Sequence, residues 1–282
     1  MLTNDIICPV CKDNKFDNYK CPCGYVIEYD QNVIVFPSNL VNKFKNYSKK
    51  TNLESYNQLE PNPASEYYPR YVQDDAKVIL DIGGGDGLVL ANYAKENPNS
   101  KVYVIDADFN NIKRVPFRKI ENLVALNCSA TSLPFDNNSV DTVFTVFAVE
   151  HMYDYDYSEF LFEVKRVLKK GGRLVIATDS DIYDKWIHPI FRIFSFKEKF
   201  FTTGFLEKWN VSKTAIDHHN LKSPRQTETF VKKHGFFVQD IRLHLIGSNW
   251  WLGQILYETI IPKILAQKIL STMYVLIARQ ND

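Results

Sequence analysis

Residues 78–94, VILDIGGGDGLVLANYA, constrain the fold of this chain more than any other stretch. An apolar run, a cluster of glycines and an amphipathic run in that order read as a strand, a tight turn and a helix. Gly83, Gly85 and Gly87 let the backbone turn sharply and approach a ligand with no Cβ in the way, and the helix start behind them favours an anionic group. A dinucleotide fingerprint needs G-x-G-x-x-G, but the place of its third glycine, counted from Gly83, holds Leu88. The spacing is instead G-x-G-x-G, with Asp81 two residues ahead.

From Lys77 onward apolar strands alternate with amphipathic helices: VILDI, the run from Leu88, VYVID, LVALN and VDTVFTVFAV. In SEFLFEVKRVLKK the residues Phe160, Leu161, Val164, Val167 and Leu168 share one helical stripe, Gly171 and Gly172 are expected to stop that helix, and GGRLVIAT restarts a strand. Such alternation implies a mostly parallel sheet with helices on both faces and a ligand beyond the carboxyl ends of the strands.

At this spacing the chain resembles the class I S-adenosylmethionine-dependent methyltransferases of the type 11 group, and the likeness runs through most of residues 76–282. CSATSLPFDNNSVDTVFTVFAVEHM is similar to the family's G-D-A-x-x-L-P-F segment, fourth strand and L-E-H ending. EVKRVLKKGGRLVIA resembles its next helix and strand, and HHNLKSPRQTETFVKKHGFFV its late H-x-x-x-x-S/T-P-R segment. The resemblance implies a Rossmann-like, seven-stranded α/β sheet whose last strand, TMYVLIAR, is antiparallel. It also implies a cofactor site of Asp81, Gly83, Gly85, Gly87, Asp106, Ala107, Ser129, Ala130 and Phe147, with Asp106 taking both ribose hydroxyls. A carboxylate has two acceptor oxygens, which suits a diol; a strand-end turn residue is the alternative. In one departure, the family's adenine-contacting Asp falls on Ser129, whose hydroxyl bonds without charge assistance.

Four of five cysteines lie between Cys8 and Cys23, as Cys8-x-x-Cys11 and Cys21-x-Cys23. Four thiolates are the number a closed tetrahedral zinc site requires, and with every position filled by protein such a site is structural or a docking element. Residues 1–36 are too few to fold on a core alone and need such a staple; free thiols on a pair of turns are the alternative. The context resembles the zinc ribbon fused to some type 11 methyltransferases and to a guanine-methylating ribosomal RNA enzyme, although the second turn is one residue shorter than C-x-x-C. Cys128 stands alone and reads as a small core residue.

The remaining organisation is a polar linker and cofactor lid over 37–75, then the catalytic domain over 76–282 with cap insertions near 181–220 and 248–268. Tyr67, Tyr68 and Arg70 are candidates to close over the cofactor; a solvated linker is the alternative. No basic and apolar leader and no run of ~18 apolar residues is present, and clustered cysteines suit a reducing compartment, so a cytoplasmic location is expected.

A sulfonium methyl donor is already activated, so the protein's task is to align the acceptor and exclude water. A hydroxyl or acidic-carbon acceptor needs a general base, for which His151 and His218 are the candidates. Thirty-four basic against 33 acidic residues give a charge of +1, which argues against nucleic acid as the acceptor. Residues 182–209 carry Trp186, Phe191, Phe194, Phe201, Phe205 and Trp209 beside Lys185, Arg192, Lys197 and Lys199, which suits a small or lipid-like acceptor and a peripheral membrane contact. A helical pair that only completes the core is the alternative. Two other functions stay open: a catalytically silent module that uses its cysteine segment to bind a partner protein, and an RNA methyltransferase.

Overall fold

A computed structural model describes residues 5–13, 16–41, 63–181, 220–244 and 273–280. Among them nine strands form one sheet: β1 (Glu28–Asp30), β2 (Val33–Val35), β3 (Val78–Ile82), β4 (Lys101–Asp106), β5 (Leu123–Asn127), β6 (Val140–Val146), β7 (Leu168–Asp179), β8 (Phe236–His244) and β9 (Met273–Gln280). Their order across the sheet is β1-β2-β5-β4-β3-β6-β7-β9-β8. The strands β3 to β7 run parallel, and β9 is antiparallel to both its neighbours, β7 and β8. These seven strands are the expected Rossmann-like sheet.

The helices are α1 (Pro63–Tyr67), α2 (Leu88–Glu96), α3 (Phe109–Ile112), α4 (Asp154–Val167) and α5 (Pro224–Lys233). Each central strand alternates its side chains between two apolar layers. Ile79, Val102, Val104, Phe144 and Val175 pack with Leu90, Ala91 and Ala94 of α2 on one face. Leu80, Ile82, Tyr103, Ile105, Val143, Leu174 and Ile176 pack with Phe160, Leu161, Val164 and Val167 of α4 on the other. Burial on both faces explains why these strands read as nearly continuous apolar runs. The amino ends are pinned by Asp141, which accepts from the Lys77 and Val78 amides at 2.9 Å each and from Lys169 Nζ at 2.7 Å.

One expectation needs correction. The helix α4 ends at Val167, not at the glycine pair, and Leu168 to Gly172 already belong to β7. Leu168 pairs with Val140, the register then slips before Thr142 meets Arg173, and Gly171 absorbs the slip at φ 71°. Ahead of β3, Tyr68 and Tyr71, in the short 3-10 turn Tyr68–Tyr71, are buried in the layer that contains α2.

The cysteine segment is joined to the sheet. Strand β2 pairs in parallel with β5, through Ile34 with Leu126 and Val35 with Asn127, and β1 adds an antiparallel edge. No helix among the described residues is long and apolar enough to cross a membrane.

Candidate cofactor and metal sites

The strand order reverses between β3 and β6, so their carboxyl ends open the crevice where doubly wound sheets bind ligands. The glycine turn occupies one lip. Gly83, Gly85 and Gly87 have φ of 71°, 55° and 74°, a region that costs most other residues 1–2 kcal/mol, roughly, per position. The turn is drawn onto the sheet because the Gly83 and Gly84 amides both donate to Ile105 O, at 2.7 and 3.2 Å. A Cβ on Gly83 would strike Ala148, and one on Gly84 would sit 2.6 Å from the Asp81 carboxyl and 2.8 Å from Val104. A Cβ on Gly85 would meet nothing within 4 Å, so that side of the turn is open to a ligand. The turn is also braced from outside: Arg118, its side chain 3% exposed, donates from Nε to Asp86 O at 2.7 Å and pairs with its carboxylate at 3.0 Å. No local pattern in the sequence announces this arginine.

Two carboxyl groups lie beneath and beside the turn. Asp81 is fully buried, and neither of its side-chain oxygens has a hydrogen-bond partner in the protein. Burial, with Asp106 and Asp86 adding negative potential, pushes its pKa up to about 7. Asp106, at the end of β4, accepts from the Asp108 amide at 2.8 Å and from the Gly85 amide at 3.0 Å. Burial outweighs those two bonds and lifts its pKa to about 6. Each oxygen keeps a second lone pair, so the diol role implied for Asp106 remains chemically available. A glycine cradle, a carboxylate beside it and an unpartnered buried acid beneath fit a cationic nucleoside such as S-adenosylmethionine. Ala107, half-buried, continues this lip.

The opposite lip runs from β5. Ser129 is buried and its hydroxyl is engaged in its own turn, 2.8 Å from Thr131 Oγ1 and 3.2 Å from the Thr131 amide, with half-buried Ala130 between them. Cys128 is buried in the core, as expected. At the end of β6, Phe147 takes φ 52°, an unusual state for a bulky residue, and is 40% exposed at the crevice strand end. Strain of this kind concentrates at functional sites.

Of the two base candidates, His151 lies on the short turn Val149–His151 after β6 and is exposed. His218 lies outside the described residues, as do Trp186 and the rest of that aromatic set. Sequence reasoning passed over Glu150. It is 1% exposed, accepts from Thr178 Oγ1 at 2.9 Å across to β7, and holds the Asn220 amide through its carbonyl at 3.0 Å. Burial raises its pKa to about 7. An acid directly after an apolar strand was the signal available. Beside the end of β7, Asp181, Lys222, Arg225, Phe230 and Lys233 line a cleft of about 640 Å³. Ahead of β3, Tyr67 and Tyr71 share a hydrogen bond at 2.7 Å, and the Arg70 guanidinium stacks 4.3 Å over Tyr67.

The four cysteines of the amino-terminal segment converge. Their sulfurs all lie within 4.8 Å of one another, with Cys8 to Cys23 at 3.6 Å and Cys11 to Cys21 at 3.3 Å. A tetrahedron with bonds of ~2.3 Å has edges of about 3.8 Å, so the donor set fits zinc. The short second half works because Gly24, at φ 92°, closes a tight turn from its amide to Cys21 O at 2.8 Å. The first turn closes from the Lys12 amide to Cys8 O at 2.9 Å. The thiols differ in environment: the Tyr25 amide holds Cys23 down to about 7, while burial pushes Cys21 up to about 12.

Residues 80–176 match the family model of a methyltransferase domain, type 11. The chain is similar to the ubiquinone/menaquinone biosynthesis C-methyltransferase of Paraburkholderia phytofirmans, 31% identical over 123 residues, covering 42% of this chain and 49% of that protein. The protein of the same name from Stenotrophomonas maltophilia is 30% identical over 158 residues, covering 52% and 61%. The chain thus spans about half the length of the curated relatives it matches. Among solved structures, geranyl diphosphate methyltransferase in complex with SAM superposes at a TM-score of 0.53 with 17% identity, over 77% of this chain and 84% of that one. Phosphoethanolamine N-methyltransferase 2 of Haemonchus contortus, with S-adenosyl-L-methionine, also reaches 0.53 at 17% identity, over 86% and 60%. At that identity the likeness shows the fold. By the family match and that fold together, residues 80–176 form a methyltransferase domain of the type 11 group, seated on a Rossmann-like sheet.

Proposed function

We propose that this protein transfers the methyl group of S-adenosylmethionine to a carbon of a small, lipid-like acceptor, and that its four cysteines hold one structural zinc ion. The observation that carries the cofactor reading is the juxtaposition of Asp106 with the Gly85 amide, at 3.0 Å, on the open side of the glycine turn. In the reaction the acceptor carbon bonds to the methyl group, the methyl to sulfur bond breaks with its electron pair left on sulfur, and the carbon loses a proton to a base. Two groups at the end of β6 suit that last step: His151, which is exposed, and Glu150, whose raised pKa leaves it part-ionised near neutral pH. Carbon as the target is supported by relatives named as C-methyltransferases. A lipid-like acceptor with a polar part is supported by the cleft at the end of β7, where Phe230 lies among Asp181, Lys222, Arg225 and Lys233.

The test is methyl transfer from radiolabelled donor to a panel of prenylated hydroquinones, with a folded ribosomal RNA fragment alongside. Label in the organic-extractable acceptor, lost in Asp106→Ala, is the expected result. Tight cofactor binding with no turnover on any acceptor would favour the silent binding module, and salt-sensitive label in the RNA would overturn the acceptor class.

A further inference from the structure

The cysteine segment touches the methyltransferase domain at a loop that borders the proposed cofactor site. Residues 129–135 run from Ser129 and Ala130, at the crevice, to Phe135, and their far end is held from two directions. From α4, Glu163 accepts from the Leu133 amide at 2.7 Å, and Arg166 donates to Leu133 O at 2.9 Å and to Phe135 O at 2.6 Å. Arg166 and Glu163 are joined in a bidentate pair at 2.7 and 2.8 Å. Burial works against the Glu163 carboxylate, but this pairing outweighs it and holds its pKa below the usual range. From the cysteine segment, the Ile7 amide donates to Pro134 O at 3.0 Å, and Ile6 forms an antiparallel bridge with Phe135. Lys12 reaches the Glu163 carboxylate at 3.7 Å.

The sequence positions of these contacts carry the argument. Ile6 and Ile7 immediately precede Cys8, and Lys12 immediately follows Cys11. The first cysteine pair is therefore flanked on both sides by residues that hold the loop or its holder. A second path runs through the other side of the segment: the Phe36 amide donates to Asn127 O at 2.8 Å, and Asn127 Nδ2 donates to Asp106 O at 2.8 Å. Closing four thiolates around one ion fixes the spacing between Ile7 and Lys12. Opening the cluster returns that spacing to a segment too short to fold alone, and the loop loses one of its two anchors.

We infer that occupancy of the cysteine cluster sets cofactor affinity, the first cysteine turn acting on residues 129–135 directly through Ile6 and Ile7 and, through Lys12, on the positioning residue Glu163. This rests on the reading that the crevice binds S-adenosylmethionine. Coupling between two sites is reciprocal, so cofactor must tighten metal by the same factor that metal tightens cofactor.

The experiment uses the full chain, loaded with one equivalent of zinc or stripped by chelator under reducing conditions. Affinity for S-adenosylhomocysteine is measured by calorimetry. About tenfold weaker binding in the stripped protein, restored by zinc, is expected for a coupling of ordinary size. Zinc affinity, read by chelator competition with and without saturating S-adenosylhomocysteine, should change by the same factor. In Glu163→Gln, still carrying one zinc, both factors should shrink, because the Lys12 contact and the hold on Leu133 are weakened while the Ile7 contact remains. Equal affinity in loaded and stripped protein overturns the inference, as does full coupling retained in Glu163→Gln. Should the stripped chain fail to melt cooperatively, the zinc-loaded variant decides alone, since unchanged affinity there has the same consequence. Absence of binding in every form instead overturns the cofactor reading itself.

Discussion

The centre of the sheet and its cysteine-bearing edge are held in different ways. Strand β3 has neighbours on both sides and apolar layers on both faces, so its position follows from burial alone. Strand β1 has three exposed residues and a single neighbour, and β2 meets the sheet through two pairs of residues. Strand β2 is nevertheless buried, with Ile34 and Phe36 in one core layer and Val33 and Val35 in the other, and beyond it four convergent thiols tie the cysteine turns together. The centre can therefore afford strain where a ligand must approach, as at Phe147 and the glycine turn, whereas the edge adds one cross-link to the core it shares.

The largest effect should come from breaking that cross-link. Cys21→Ser leaves three thiolates where structural zinc in small modules contributes on the order of 10 kcal/mol or more. Metal analysis should fall from about one equivalent to under a tenth of one, in keeping with a single four-ligand site. Hydrogen exchange should lose protection at the Cys8 and Gly24 amides while β3 and β6 keep theirs. Equal loss at β3 and β6 would mean that the edge supports the centre, contrary to the comparison.

At the centre, Asp106→Ala should weaken S-adenosylmethionine by on the order of 2 to 4 kcal/mol, since bonds to a charged group contribute ~1.5 to 3 kcal/mol each and are not additive. Titration calorimetry showing unchanged affinity would remove Asp106 from the site. The fold itself should barely respond, as measured by urea denaturation.

A smaller change is expected from Gly84→Ala, which drives a methyl into the Asp81 carboxyl and Val104; overpacking of this kind costs roughly 1–3 kcal/mol. Gly171→Ala is the paired control, because nothing lies within 4 Å there and only its φ of 71° is penalised. Denaturation midpoints that rank the two the other way would show that backbone angle costs more than steric room at these glycines.

The smallest effect concerns protons. Asp81, Asp106 and Glu150 have folded pKa values raised to about 7, 6 and 7, so the folded state binds more protons than the unfolded one above pH ~4. Their contribution is fully present below that pH and is lost as pH rises toward 7. Asp81→Asn should flatten this slope and raise the melting temperature at pH 8 by a few degrees, roughly 1–2 kcal/mol of relief. The cationic cofactor favours the ionised acids, so its affinity should rise between pH 5.5 and 7.5, about the window of those values, and more steeply than that of its uncharged-sulfur product. Parallel pH profiles for the two ligands would detach these acids from the sulfonium.

Local pattern alone determined the strands, because a strand buried on both faces must be apolar along its length, and it determined the glycine turn, because G-x-G-x-G excludes the dinucleotide spacing. It also marked the four cysteines, since thiols at that spacing have few other uses. Tertiary structure decided what depends on residues far apart in the chain. Arg118 braces Asp86 from 32 residues away, Glu163 and Arg166 seat a loop 30 residues before them, and β2 joins β5 across some 90 residues of intervening sequence. It also decided where α4 ends, because the pairing of Leu168 with Val140 outweighs the helical stripe that includes Leu168. Residues 182–219 and 245–272 lie outside the described residues, so the aromatic face and His218 stand on sequence alone. A periodic pattern reports which face is buried, but only the folded chain supplies the partner that buries it.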